Sequence, residues 1–109
     1  MDKLTVETVV KYFKERLIFY GVSPKKIILF GSSASGNLYK GSDIDVAVVS
    51  DDFENVDLFE RALLTTKAER DTMRKYDYPL DVIKLTVDEF ENDLRMISRF
   101  VKEGKLIVH

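Results

Sequence analysis

Residues 26–50 read KIILFGSSASGNLYKGSDIDVAVVS, and this stretch decides the fold. It opens on an apolar run, Lys26 to Phe30, bounded by Pro24 and Gly31, which predicts a short buried strand. It closes on Asp43 to Ser50, whose β-branched residues predict a second strand. The segment between them, 31–42, is rich in Gly, Ser and Asn and predicts a long loop. Side chains alternate along a strand. Asp43, Asp45, Ala47 and Val49 therefore share one face, and Ile44, Val46 and Val48 take the other. Two carboxylates are thus fixed side by side next to the loop.

Upstream, Leu4, Val9, Val10, Phe13, Leu17 and Tyr20 recur at helical spacing, predicting a helix over 4–20 that Thr5 caps and Gly21 stops. Its aromatic residues Tyr12, Phe13, Phe19 and Tyr20 read as core and partner-facing surface. Downstream, 51–55 reads as a polar loop and 56–76 as a second helix. Val56, Phe59, Leu63, Met73 and Tyr76 are expected on or near one face of it. Pro79 opens a third strand, Leu80 to Leu85. Thr86-Val-Asp-Glu89 matches a capping box and starts a third helix that runs to about Glu103 and stops at Gly104. The tail LIVH is a last short strand or a docking segment. The order α-β-β-α-β-α predicts an α/β (α+β) domain over 1–109: a small mixed sheet with helices packed on one face.

Composition narrows the function. The chain has 109 residues, 45% hydrophobic and 33% charged, with 17 Lys+Arg against 19 Asp+Glu. A net charge of -2 gives no general pull toward DNA, RNA or an anionic membrane, so direct nucleic-acid binding is not expected. There is no cysteine, which excludes disulfides and thiolate metal sites. No stretch approaches the roughly 20 apolar residues that span a bilayer. The start, MDKLTVETVV, lacks the pattern of a signal peptide, and a cytoplasmic protein is expected. The single histidine, His109, is terminal and is given no role. Chemistry must therefore fall to carboxylates, hydroxyls, lysines and backbone amides.

In the loop, Gly31 permits close backbone approach to a ligand and positive φ. Consecutive N–H groups in such a turn form an anion-binding concavity, and Ser32 adds a hydroxyl donor. Taken alone, the loop reads first as a long surface turn. Asp43 and Asp45 add weight, because paired carboxylates repel unless a cation sits between them. Mg²⁺ suits the pair, since it takes one or two carboxylates and fills its shell with water and phosphate oxygens. Asp81, inside the apolar run Leu80-Asp81-Val82-Ile83, reads two ways. It is an edge-strand aspartate facing water, or, if its strand lies beside Asp43 to Ser50, a third carboxylate of the same site.

Gly31-Ser32, then positions 33–42, then Asp43-Ile44-Asp45 resembles the signature of the DNA polymerase β-like nucleotidyltransferase superfamily. The longer string FGSSASGNLYKGSDIDVAVV is similar to its minimal branch, the MNT-domain (MntA-type) proteins, and the likeness extends over nearly the whole chain. Asp81 in PLDVI falls where that family carries its third carboxylate. The resemblance implies the polymerase β-like fold. It implies that Gly31, Ser32 and Ser33 hold the phosphates of a nucleoside triphosphate such as ATP. Asp43, Asp45 and Asp81 are implied to bind two Mg²⁺ ions and to serve as the catalytic carboxylates. The acceptor hydroxyl then attacks the α-phosphorus in line, releasing pyrophosphate.

Minimal-branch members are often antitoxins paired with a small helical HEPN protein, which they neutralise by transferring AMP to a tyrosine. The resemblance therefore implies a HEPN-domain partner as acceptor, with self-association into a homo-oligomer left open. Ser33 and Ser35 stand where many members carry arginine, which reduces fixed positive charge beside the triphosphate unless Lys25, Lys26, Lys40, Arg70 or Arg74 supplies it. That departure motivates an alternative: an antitoxin with a weak or inactive site that neutralises its HEPN partner by contact alone. Transfer to a small molecule, as in aminoglycoside-modifying relatives, fits less well because those usually add a helical acceptor-binding domain.

Overall fold

The computed structural model describes residues 6–31, 43–92 and 104–108. The chain runs α1 (Val6–Phe19), β1 (Lys26–Leu29), β2 (Ile44–Val49), α2 (Leu58–Tyr76), β3 (Leu80–Leu85), α3 (Val87–Asn92) and β4 (Lys105–Val108). The four strands form one sheet in the order β3-β2-β1-β4. β2 and β3 are parallel, while β1 is antiparallel to both β2 and β4. The sheet is mixed, as the sequence predicts, and the apolar tail forms its edge strand β4. The expected helix cap at Thr5 and the continuation of α3 toward Glu103 lie outside the described residues.

Each boundary has a local cause. α1 ends at Gly21, which takes φ 97°, while the Val22 N–H donates back to the Leu17 carbonyl at 2.9 Å. That geometry satisfies the last helical carbonyls and buries Val22 in the core. α2 starts at Asp57, whose side chain accepts from the Glu60 N–H at 2.8 Å. It ends at Asp77, a left-handed cap with φ 58°. α3 starts on the predicted capping box: the Thr86 N–H donates to Glu89 Oε1 at 2.8 Å, and the Glu89 N–H donates to Thr86 Oγ1 at 3.1 Å. The polar stretch after β2 is a short 3-10 turn, Asp51–Phe53, capped by the buried Ser50.

The sheet separates two apolar clusters. Ile44, Val46 and Val48 join Ile27 and Leu29 beneath α1 and α2, with Val9, Phe13, Leu17 and Ala68 from the helices. On the other face Ile28, Ala47, Val49 and Leu85 form a smaller cluster, closed at one end by Val87 and Phe90 of α3. The two long helices thus cover one face, as expected, and the described part of α3 caps part of the other. Tyr12 packs edge-on against Tyr76, and Arg16 and Tyr20 both reach Asp71, at 2.9 and 2.7 Å. α1 and α2 therefore run antiparallel.

The buried face of α2 is not its most apolar one. Its buried positions are Arg61, Thr65, Ala68 and Thr72, while Phe59 and Leu63 stand 74% and 61% exposed. Small side chains let α2 approach the sheet and α1 closely. The threonine hydroxyls are satisfied within the helix, Thr72 Oγ1 donating to the Ala68 carbonyl at 2.8 Å. Arg61 is 7% exposed and well bonded: Nε donates to the Val56 carbonyl at 2.8 Å, and one terminal nitrogen donates to the Lys84 carbonyl at 3.1 Å and to Glu89 at 2.6 Å.

Candidate active site

The β-strand ends nearest the long loop bring the acidic residues together. In the parallel β2/β3 pair, Asp45 lies in register with Asp81. Strand alternation sets both on the face that carries Ala47, Ile83, Val49 and Leu85. The pair thus sits one row beyond an apolar floor of Ile28, Ala47 and Ile83. The register is pinned at its start, where the Ile44 N–H donates to the Pro79 carbonyl at 2.9 Å. Asp43 is exposed and immediately precedes β2.

Gly31 closes the site from the third side. The Phe30 N–H donates to the Asp45 carbonyl at 3.1 Å, so Gly31 follows directly beside Asp45. Gly31 has φ 60°, and a Cβ there would lie 2.8 Å from Asp45 Oδ2. Only glycine leaves that carboxylate oxygen its place. The predicted phosphate-binding Ser32 and Ser33 lie outside the described residues, as do Ser35 and Lys40.

The electrostatics follow from this packing. Burial first, then the charges of Asp81 and Asp43, push the Asp45 carboxyl above the usual carboxylate range. Asp45 is half-buried, while Asp43 and Asp81 are exposed. Carboxylates alone suit a hard divalent cation, and Mg²⁺ needs only one or two of them. Among the described residues no three His, Cys, Asp or Glu side chains stand ready as a ligand set. The donors that fit are the in-register Asp45 and Asp81, with Asp43 close enough for its charge to act on Asp45, and oxygens of water and phosphate would complete a shell.

The basic residues proposed to offset Ser33 and Ser35 are placed elsewhere. Lys25 pairs with Asp51 at 2.9 Å. Lys26 lies opposite Val49, at the far end of β2 from Asp45, with Nζ 4.9 Å from the centre of the Phe90 ring. Arg70 and Arg74 are exposed on α2, which covers the opposite face of the sheet.

Residues 6–108 match the family model of the nucleotidyltransferase domain. The chain belongs to that family. No curated protein matches it. Among solved structures, it is similar to a Sulfolobus solfataricus protein assigned to the nucleotidyltransferases, with TM-score 0.65 and 23% identity over 92% of this chain and 77% of that one. It is similar to a toxin–antitoxin structure with AMP-PNP, with TM-score 0.60 and 22% identity over 94% and 72% of the two chains. A mutant of the toxin–antitoxin MntA-HpeT gives TM-score 0.59 and 18% identity over 93% and 70%. These likenesses establish the shared nucleotidyltransferase fold.

The nucleotidyltransferase reading was open to sequence because its residues cluster in one motif. Two features of the site region were not. Gly31's tight approach to Asp45 needs three-dimensional geometry, although the glycine itself marked the turn. The second cluster beneath Asp45 depends on α3 and β3, which only the topology joins to β2.

Proposed function

We propose that residues 1–109 act as a single Mg²⁺-dependent nucleotidyltransferase domain that transfers AMP from ATP to a hydroxyl of a partner protein. In this reading the chain is the antitoxin of a HEPN/MNT pair and works in the cytoplasm, where both ATP and its partner are made. The observation that carries the reading is the register of Asp45 with Asp81, with Asp43 beside them and a Cβ-free Gly31 against Asp45.

Asp43, Asp45 and Asp81 would hold two Mg²⁺ ions, which supply charge neutralisation for the triphosphate and the developing oxyanions. Gly31, Ser32 and Ser33 hold the β- and γ-phosphates through backbone amides and hydroxyls. Asp81, exposed at the start of β3, accepts the acceptor's hydroxyl proton. The hydroxyl oxygen bonds to the α-phosphorus as the bond to pyrophosphate breaks, and pyrophosphate leaves. The apolar floor of Ile28, Ala47 and Ile83 keeps water from the buried side of Asp45.

The structural neighbours named as toxin–antitoxin, one of them with AMP-PNP, support both partner and nucleotide for this reading. The test is calorimetric titration of ATP with and without Mg²⁺, for the wild type and Asp43→Asn, followed by mass measurement of the partner after incubation with ATP. Metal-dependent binding lost in the variant, and one AMP added to the partner, support it. Absence of both at millimolar ATP sinks it.

The placement of Lys25 and Lys26 away from the site, together with Ser33 and Ser35, favours one second reading: neutralisation by contact alone. It requires that the Asp43→Asn/Asp45→Asn double variant still silence the partner.

A further inference from the structure

α2 carries a surface that neither the core nor the candidate active site uses. With Arg61, Thr65, Ala68 and Thr72 turned inward, the outward stripe reads Phe59, Leu63, Lys67, Arg70 and Arg74. Beside its first half stand Leu64 and, at the same end of the helix pair, Ile18 and Phe19 of α1, the last 69% exposed. Exposed apolar side chains gathered at one end of a helix pair mark an interaction surface.

The charges on this helix say what covers it. Exposed acids, Asp57 and Glu60, lie at its beginning, and exposed bases, Lys67, Arg70 and Arg74, lie in its second half. Glu60 and Lys67 are equal steps either side of the Leu63–Leu64 midpoint, and Asp57 and Arg70 are equal steps further out. A second α2 laid antiparallel across this midpoint sets Leu63 of each copy against Leu64 of the other. It brings Glu60 opposite Lys67, and Asp57 opposite Arg70, on both sides of a two-fold axis. The helix dipoles oppose as well. Such a contact is isologous and closes after two subunits.

We propose that this chain forms a symmetric homodimer through antiparallel α2–α2 packing centred on Leu63 and Leu64, with Glu60 of each copy paired to Lys67 of the other. The sheet face bearing Asp45 and Asp81 lies opposite α2, so both sites stay open in the dimer.

The full chain is tested by sedimentation equilibrium, with circular dichroism confirming the fold of each variant. The wild type dimerises with a dissociation constant on the order of tens of micromolar, as befits a small interface. Leu63→Ser leaves the fold intact, because Leu63 is exposed, and abolishes the dimer. Glu60→Lys and Lys67→Glu each weaken self-association roughly tenfold, since each places like charges opposite one another twice. Mixing those two variants restores a heterodimer. One copy then carries lysine at both positions and the other carries glutamate at both, so opposite charges meet at each of the two contacts. A wild type that stays monomeric overturns the proposal, as does a dimer indifferent to Leu63→Ser or a mixture that associates no better than its components. Nucleotide binding is not read in any arm, so the result is independent of the proposed transferase activity.

Discussion

Asp45 and Asp81 stand directly opposite one another in the parallel β2/β3 register, on the sheet face that the two long helices leave uncovered. Parallel pairing needs a crossover, and α2 provides it, so two residues far apart in sequence become neighbours. The arrangement costs the metal-free chain stability, because burial and two like charges oppose ionisation of Asp45.

That cost has a measurable sign. The Asp45 carboxyl is held above its unfolded value, so its contribution favours the fold at acid pH and is lost as pH rises through the folded value. Asp45→Asn is therefore expected to raise the thermal midpoint of the metal-free chain at pH 7 by a few degrees, equivalent to about 0.5–1 kcal/mol. Added Mg²⁺ and ATP should stabilise the wild type and leave Asp45→Asn unmoved. Differential scanning fluorimetry with and without both ligands checks the pair of outcomes. A variant less stable than wild type would mean that Asp45 is a structural residue.

Gly31→Ala separates the site from the fold in another way. The new Cβ lands 2.8 Å from Asp45 Oδ2, at a φ of 60° that L-residues adopt at a penalty of roughly 1–2 kcal/mol. The carboxylate must give way to the new methyl and leave its place beside Gly31, and metal-dependent ATP affinity is expected to fall at least tenfold. Urea denaturation should show a loss of only about 1–2 kcal/mol. Equal ATP affinity in the variant would show that the phosphates do not approach this turn.

How much was legible in advance depends on the kind of signal. β1 and β2 were readable because unbroken apolar and β-branched runs have few alternatives, and the Thr86–Glu89 capping box was readable because its hydrogen bonds are local. The Asp43/Asp45 pairing followed from strand periodicity alone. Asp81 was left between two readings, since choosing required knowing that β3 lies beside β2. Which face of α2 packs inward was not legible, because apolar periodicity ranks Phe59 and Leu63 above Thr65 and Thr72. Packing instead selected the small side chains whose hydroxyls bond within the helix. Arg61 went unnoticed for the same reason: its partners are two carbonyls and Glu89, none recognisable from spacing.

The Arg61–Glu89 pair joins the start of α2 to the β3–α3 corner and predicts an acid-sensitive contact. Burial works to raise the Glu89 carboxyl, but Arg61 and the Thr86 amide and hydroxyl outweigh it and hold the carboxyl below its ordinary value. A depressed carboxylate contributes stability above its unfolded value, near 4.5, that is lost as pH falls below it. Glu89→Gln should flatten the fall in stability of the folded chain between about pH 5 and 3. Arg61→Met removes every one of the guanidinium's bonds and leaves Glu89 partly buried beside two unmet carbonyls, at a cost of about 2–4 kcal/mol at pH 7. Urea titrations across that pH range measure both. Identical pH profiles for wild type and Glu89→Gln would remove Glu89 from the account.

Gly104 lets the edge strand approach β1 closely. A Cβ there would overlap the Leu29 carbonyl oxygen and come within 2.8 Å of Ile28 Cγ2, because β4 meets β1 at Lys105 and Leu29 immediately afterwards. The obstacle is β1 backbone in the centre of the sheet, which cannot move aside. Gly104→Ala should therefore push β4 off β1 and destabilise the chain by about 2–4 kcal/mol. Gly21→Ala is the matched control: its φ of 97° is strained for alanine, but its Cβ meets nothing within 4 Å, and a loss of about 1–2 kcal/mol is expected. Hydrogen exchange adds the location, since Gly104→Ala should speed exchange of β1 amides bonded to β4 while those bonded to β2 keep their protection. If Gly104→Ala costs no more than Gly21→Ala, and β1 exchange is unchanged, β4 docks without needing the close approach seen at Leu29.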